Sequence, residues 1–196
     1  MSIANLDTYT GADARVSVEI SAAEASQSVS AETFKSAFRL HPAGVAVVTA
    51  DPGDGPVAMT VSSLASVSTD PPMLVFSASA LSSSTPALER SETVVMHMVG
   101  SDQQWLAQLG ATSGIDRFAD TSSWARLPTG EPVFPSVYAW LRGRIVQRVD
   151  AGNSVICIVH IIEASVPEPD QYVDDPSSPL VYHARTWHRL GEHSAL

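Results

Sequence analysis

The chain has 196 residues, 44 % of them apolar and 16 % charged, which suits one globular domain plus a tail and excludes a fibrous or wholly disordered protein. Twenty-one acidic residues against eleven Lys and Arg give a net charge of −10. That balance argues against a nucleic-acid partner, whose phosphate backbone demands a basic field.

No apolar run reaches the roughly 18 residues that a membrane-spanning helix needs, so no membrane partner is expected. Residues 1–10 lack the basic and apolar stretches of a secretory signal. The single cysteine, Cys157, rules out an intramolecular disulfide and a cysteine metal cluster. Reducing conditions and a cytoplasmic location are expected.

Residues 1–30 are rich in Ser, Ala and acidic residues and poor in large apolar groups, so they cannot bury enough surface to offset their ordering entropy. They read as a mobile N-terminal arm, with residues 31–196 as the folded domain. Ser30 caps a helix with Glu32 in its first turn, and Phe34, Ala37 and Phe38 form its apolar stripe. Pro42 and Gly44 end it.

Strands follow. Residues 44–50 are Val-rich, Pro52-Gly53-Asp54-Gly55 is turn chemistry, and residues 57–63 return. Pro72–Ser79 and residues 93–99 are further strands. One short helix starts at Thr85 with Pro86 at its first position; another starts at Asp102 and carries Trp105, Leu106 and Leu109. Residues 110–136 are irregular.

The longest pair comes last. Residues 137–149 alternate, with Val137, Ala139, Leu141, Ile145 and Val149 on one face and Tyr138, Trp140, Arg142, Arg144 and Arg148 on the other. Gly152-Asn153 turns the chain, and residues 154–166 return as a strand apolar on both faces. Barrel core on one side and a subunit interface on the other account for that pattern. A closing strand spans residues 180–184. Seven or so strands with few helices predict a mainly β chain folded as a small antiparallel barrel.

Gly53-Asp54-Gly55-Pro56-Val57-Ala58 fits the spacing of a dinucleotide-binding fingerprint, but Pro56 and a strand follow where that fingerprint opens a helix; it reads as a hairpin turn. The six histidines give no helical metal pair, so no metal is expected. Cys157, between Ile156 and Ile158, reads as a buried inert thiol. There is no serine-hydrolase elbow.

Two hydroxyl-rich segments are more telling. Thr60-Val61-Ser62-Ser63-Leu64 ends a strand, and Ser77-Ala78-Ser79-Ala80-Leu81-Ser82-Ser83-Ser84-Thr85 leads into a helix. Backbone N–H groups and hydroxyls at such a place hold phosphate, or serve only as caps and turns. Asp116-Arg117-Phe118 adds a guanidinium suited to phosphate and an aromatic ring.

In order, the chain carries Phe38-Arg39, Pro42-Ala43-Gly44-Val45-Ala46-Val47-Val48-Thr49, Met59-Thr60-Val61-Ser62-Ser63-Leu64-Ala65-Ser66-Val67-Ser68, Asp70-Pro71-Pro72-Met73-Leu74, Ser82-Ser83-Ser84-Thr85, Asp116-Arg117-Phe118, Gly130-Glu131-Pro132-Val133 and Pro179-Leu180-Val181-Tyr182. The ordered series, from about Phe34 to Leu190, resembles the flavin reductase-like family of FMN-binding split β-barrels. The resemblance implies a homodimeric split β-barrel and an NAD(P)H-dependent flavin oxidoreductase using FMN or FAD, with NADH or NADPH as hydride donor. It also implies a flavin-dependent monooxygenase as partner.

It implies that Thr60, Val61, Ser62, Ser63 and Leu64 hold the ring, that Ser77, Ala78, Ser83, Ser84 and Thr85 follow the ribityl chain and phosphate, and that Arg117 and Phe118 lie at the phosphate end. Hydride transfer belongs to the flavin, so no acid–base dyad is required of the protein.

Three departures stand out. Relatives carry Gly-Asp-His where this chain has Gly152-Asn153-Ser154, and a strand glutamate is replaced by His160. The usual Tyr-x-x-Gly-x-Tyr reads Tyr182-His183-Ala184-Arg185-Thr186-Trp187. Ser154, His183 and Trp187 are therefore the catalytic candidates. A flavin carrier or sensor without nicotinamide use is the alternative, and the same barrel holding a deazaflavin, or haem through His160 and His183, is a third reading.

Overall fold

The computed structural model describes residues 15–167 and 178–196. In chain order it contains β1 (Arg15–Val18), α1 (Ala22–Ala25), α2 (Ala31–Arg39), β2 (Ala43–Gly44), β3 (Ala46–Ala50), β4 (Val57–Val61), β5 (Ala65–Thr69) and β6 (Pro72–Ser79). There follow α3 (Thr85–Arg90), β7 (Thr93–Met98), a 3-10 turn and α4 (Gln104–Ala111), β8 (Ala125–Arg126), β9 (Pro132–Val133), β10 (Ala139–Ala151), β11 (Ser154–Ser165), β12 (Leu180–His183) and β13 (Thr186–Arg189). The chain is mainly β with a few short helices, as its patterning predicts.

The main sheet runs β4-β3-β7-β10-β11-β6-β5, and β1 adds to β10. β10 is longer than β7, which pairs only with residues 139–144. Its remaining edge would expose unpaired backbone, and β1 covers it in parallel, Arg15 to Val18 against Arg148 to Ala151. Arg15 fastens this strand with a bidentate bond to Asp150, at 2.7 and 2.6 Å. Part of the segment read as an arm is thus sheet; residues 1–14 lie outside the described residues.

Two apolar cores flank the sheet. Alternate residues of β3 and Val45 just before it divide between them: Ala46, Val48 and Ala50 pack with Phe76, Met96 and Ile145, while Val45 and Val47 pack with Leu106, Phe134 and Leu180. All five β3 residues are therefore buried. Each large side chain so placed contributes on the order of 1.5–3 kcal/mol. Cys157 lies in the first core, and burial pushes its thiol up to about 11.

Four expectations are corrected. The alternation along β10 does not hold to its end: Val146 is an extra residue between the Ile145–Val159 and Gln147–Ile158 pairs. A bulge exchanges the faces beyond it. Arg148 then shares the face of Cys157, its ladder partner, and is buried, donating to the Ser91 carbonyl at 2.5 Å. Val149 passes to the other face. Val137 precedes the strand and packs in the second core.

The expected strand 44–50 is broken at Val45, whose N–H donates to the Leu180 carbonyl. There the chain crosses from a separate three-stranded sheet, β13-β12-β2, into the main one. The strand at 180–184 consequently builds that small sheet rather than closing the large one. Ser84, one residue before Thr85, is the cap position of α3. Gly53 and Gly55, both at positive φ, lie in the connection between β3 and β4, as the hairpin reading requires.

Candidate functional site

β4 leaves its ladder at Val61, and Ser62, Ser63 and Leu64 run unpaired until β5 begins at Ala65. Ser62 and Ser63 are exposed and Leu64 is half-buried. The Ser63 hydroxyl fixes this run against β6, accepting from the Ser77 N–H at 2.9 Å and donating to the Ser77 carbonyl at 3.2 Å. Ser62, Ser63, Leu64 and Ser77 open together onto a cleft of about 700 Å³ whose other walls come from α2 and the β12–β13 hairpin. That volume lies in the range of small-molecule sites, roughly 300–1,000 Å³.

Thr60 and Val61 act behind this surface. The Thr60 hydroxyl donates to the Ala107 carbonyl of α4 at 2.6 Å, and Val61 is a core residue, as is Ala78. A smaller hollow of about 230 Å³ adjoins the cleft through Ser62 and Tyr182 and is also lined by Thr60 and Trp187. The Tyr182 and Trp187 rings, partners across the β12–β13 ladder, have centroids 4.7 Å apart. His183 lines the main cleft.

At the other end of β4, Ser83, Ser84, Asp116, Arg117 and Phe118 surround a hollow of about 140 Å³. The hydroxyl hydrogens of Ser84 and Thr85 are committed to the carbonyls of Ala58 and Ser79, at 2.8 and 2.6 Å; they shape the turn. Ser83 is exposed. Arg117 donates from Nε to the Leu109 carbonyl and from Nη2 to the Thr112 carbonyl, at 3.2 and 2.6 Å. This anchors the guanidinium beside Ser83 with Nη1 outside those bonds. Phe118 stacks on Phe134 at 5.6 Å and is buried in the second core, so it backs the hollow with its ring turned to the interior.

The structure therefore brings Ser62, Ser63, Leu64, Ser77 and His183 into one cleft, Thr60 and Trp187 into its annex, and Ser83, Ser84, Arg117 and Phe118 into a second hollow. Ser154 stands apart: it faces Ser79 across the β11–β6 ladder, next to Asn153, whose carbonyl accepts from Ala80 N–H at 2.9 Å. His160 sits opposite Met73 on the same ladder and lines none of these hollows.

The sequence reading missed α2 as a cleft wall. Its apolar stripe suggests burial, yet Phe34 and Phe38 remain 55 % and 59 % exposed and line the cleft with Lys35, Arg39 and His41. Periodicity marks a helix face without telling what that face meets.

The donor set fits a flavin. The cleft offers apolar surface from Phe34, Phe38, Leu64 and Tyr182 for ring faces and polar atoms from Ser62, Ser63 and Ser77 for ring edges. One β-strand away, Ser83 and Arg117 offer hydroxyl and guanidinium donors for a phosphate.

The flavin reductase like domain model matches residues 38–191. An NADH:FMN oxidoreductase of Rhodococcus qingshengii is 40 % identical over 166 residues, 85 % of each chain. Among solved structures, a flavin reductase domain protein from Arthrobacter sp. FB24 superposes with a TM-score of 0.74 at 33 % identity, covering 82 % of this chain and 95 % of that one. BorF, the flavin reductase component of a bacterial two-component tryptophan halogenase, gives 0.72 at 27 % identity over 83 % of this chain and 99 % of its own. With the cleft serines Ser62, Ser63 and Ser77 and the hollow at Ser83 and Arg117 all inside the matched residues, the chain belongs to the flavin reductase like domain family.

Proposed function

We propose that this protein is an NAD(P)H-dependent flavin oxidoreductase acting on FMN, and that it supplies reduced flavin to a flavin-dependent monooxygenase. The observation that carries the reading is the pair of sites at the two ends of β4: a ring-sized cleft at Ser62-Ser63-Leu64 and an anion hollow at Ser83 and Arg117. Flavin, when bound, supplies the hydride chemistry. Ser62 and Ser63 orient the polar edge of the ring, Tyr182 and Phe38 cover apolar surface, and Arg117 holds the phosphate. His183 and His41 both line the cleft; His183 is the imidazole proposed to hold or deliver a proton at the ring edge, in place of the histidine that the family pattern carries where this chain has Ser154.

The protein is proposed to work as a split-barrel homodimer in the cytoplasm. Supporting the dimer, β11 turns Ile156 and Ile158 outward half-buried and Ile162 43 % exposed, an apolar face suited to a second copy. Among the described residues no helix is long and apolar enough to cross a membrane.

Purified protein should oxidise NADH or NADPH in the presence of FMN, read as loss of the reduced-nicotinamide absorbance. Saturable flavin binding without such oxidation would identify a carrier instead, and no flavin binding at all would remove both readings.

A further inference from the structure

The cleft is a basic island in an acidic chain. Lys35 (the only lysine), Arg39, His41, His183 and Arg185 all line it, and among the described residues no carboxylate does. Lys35 pairs with Glu32 at 3.4 Å on the exposed face of α2. Among the described residues, neither Arg39 nor Arg185 has a carboxylate within ion-pair distance, whereas Arg15, Arg90, Arg126 and Arg142 do. Five basic side chains gathered at one cleft of a chain of net charge −10, two of them guanidiniums with no carboxylate partner among the described residues, create there a local field for an anion.

Arg185 is also held in an uncommon way. It and Ala184 form the two-residue tip between β12 and β13, at φ 65° and 50°. Such tips favour Gly or Asn, because a β-carbon at positive φ is strained by about 1–2 kcal/mol. Glycine is also the residue that the Tyr-x-x-Gly-x-Tyr pattern places at position 185. The tip is tied down by a hydrogen bond from the Ala184 N–H to the Arg39 carbonyl, 3.2 Å. A guanidinium replaces the favoured glycine, the strain is retained, and the backbone bond joins the tip to the helix end that carries the second guanidinium.

This anion site is distinct from the hollow at Arg117. That hollow includes Ala58, the cleft includes Ser62, and four steps of extended chain along and just past β4, at about 3.3 Å each, separate them by roughly 13 Å. FMN carries one phosphate, which the Arg117 hollow accommodates. A second anion at the ring end belongs to a second molecule.

We propose that Arg185, with Arg39 and Lys35, binds a phosphate group of the nicotinamide dinucleotide and is a specificity-determining residue for the hydride donor. The proposal rests on the reductase reading above. The pyrophosphate is common to NADH and NADPH, and the 2′-phosphate belongs to NADPH alone; the test separates them.

Arg185→Gly relieves the positive-φ strain, so the variant should fold with an unchanged or raised Tm. Loss of one charge-assisted bond corresponds to about tenfold in affinity. The KM for the nicotinamide dinucleotide should therefore rise about tenfold, with kcat and the FMN KM altered less than twofold. An equal rise for NADH and NADPH assigns the pyrophosphate; a rise for NADPH alone assigns the 2′-phosphate. Calorimetric titration with NAD+ and NADP+ gives the same comparison without turnover. If the wild-type protein oxidises neither nucleotide, the reductase reading fails, and the titration still decides the anion site. Equal nucleotide affinity in wild type and variant overturns the proposal.

Discussion

Gly110 of α4 lies directly against Thr60 of β4. A β-carbon on Gly110 would collide with the Thr60 hydroxyl and stand 2.9 Å from the Thr60 nitrogen, so only glycine lets the helix carbonyl of Ala107 receive that hydroxyl. Gly110→Ala should push α4 from the strand end that leads into Ser62 and Ser63. A loss of about 1–3 kcal/mol is expected in urea unfolding, with weaker FMN binding. Unchanged values for both would show that the helix moves away without disturbing the cleft.

His97 is a buried neutral histidine with both ring nitrogens engaged. The Phe134 N–H can only donate, so Nε2 accepts from it at 3.0 Å, and Nδ1 carries the hydrogen donated to the Val47 carbonyl at 2.9 Å. Burial drives its pKa down from 6.5 to about 4, against the opposing influence of the Val47 bond. The folded-state pKa lies below that of the unfolded chain, so the unfolded chain takes up the proton first. The contribution is complete above about pH 6.5 and is lost as pH falls towards 4, on the order of 2 kcal/mol by pH 5. Urea midpoints between pH 7.5 and 5 should show this slope, and His97→Gln should flatten it.

Glu131 and Arg142 form a nearly buried ion pair at 2.7 Å, their side chains 5 % and 14 % exposed. Burial disfavours the carboxylate, but bonds from Thr129, Thr93 and Arg142 outweigh it and hold its pKa below the ordinary glutamate value. Its contribution is therefore present above that ordinary value and is lost as pH falls below it. Glu131→Ala leaves the Arg142 guanidinium with only the more distant and half-exposed Glu163 carboxylate, at 3.9 Å, and should cost about 3 kcal/mol. Arg142→Met with Glu131→Leu should recover much of that loss, which double-mutant unfolding measures.

Ser63→Ala tests how the cleft is held. It removes both bonds between the Ser62-Ser63-Leu64 run and the Ser77 backbone, at an exposed position where the fold loses little. FMN affinity should fall about tenfold, equivalent to about 1.4 kcal/mol, with Tm shifted by only a few degrees. A large Tm loss with intact FMN affinity would assign this serine to the fold instead of the site.

The strands that position the site are legible because strand signals are local. Pro72–Ser79 is predicted and found with the same bounds, and the Ser30 cap of α2 follows from one hydroxyl and its spacing to Thr33. The hydroxyl runs are legible for the same reason. The faces of long strands are harder to read: the single extra residue Val146 interchanges the faces of Arg148 and Val149, and no feature of residues 137–149 marks that bulge.

The sequence by itself determined the mainly β class, the Ser30 helix cap, the turns and the order of motifs that mark the family, because these depend on dihedral preferences and spacing within a few residues. Only the tertiary structure decided that α2 and the Ala184-Arg185 tip share a cleft with Ser62 and Ser63, that Phe118 turns inward, and that β12 builds its own small sheet. Those outcomes depend on which surfaces meet across long stretches of chain, and packing between distant segments leaves no mark on the spacing within either one.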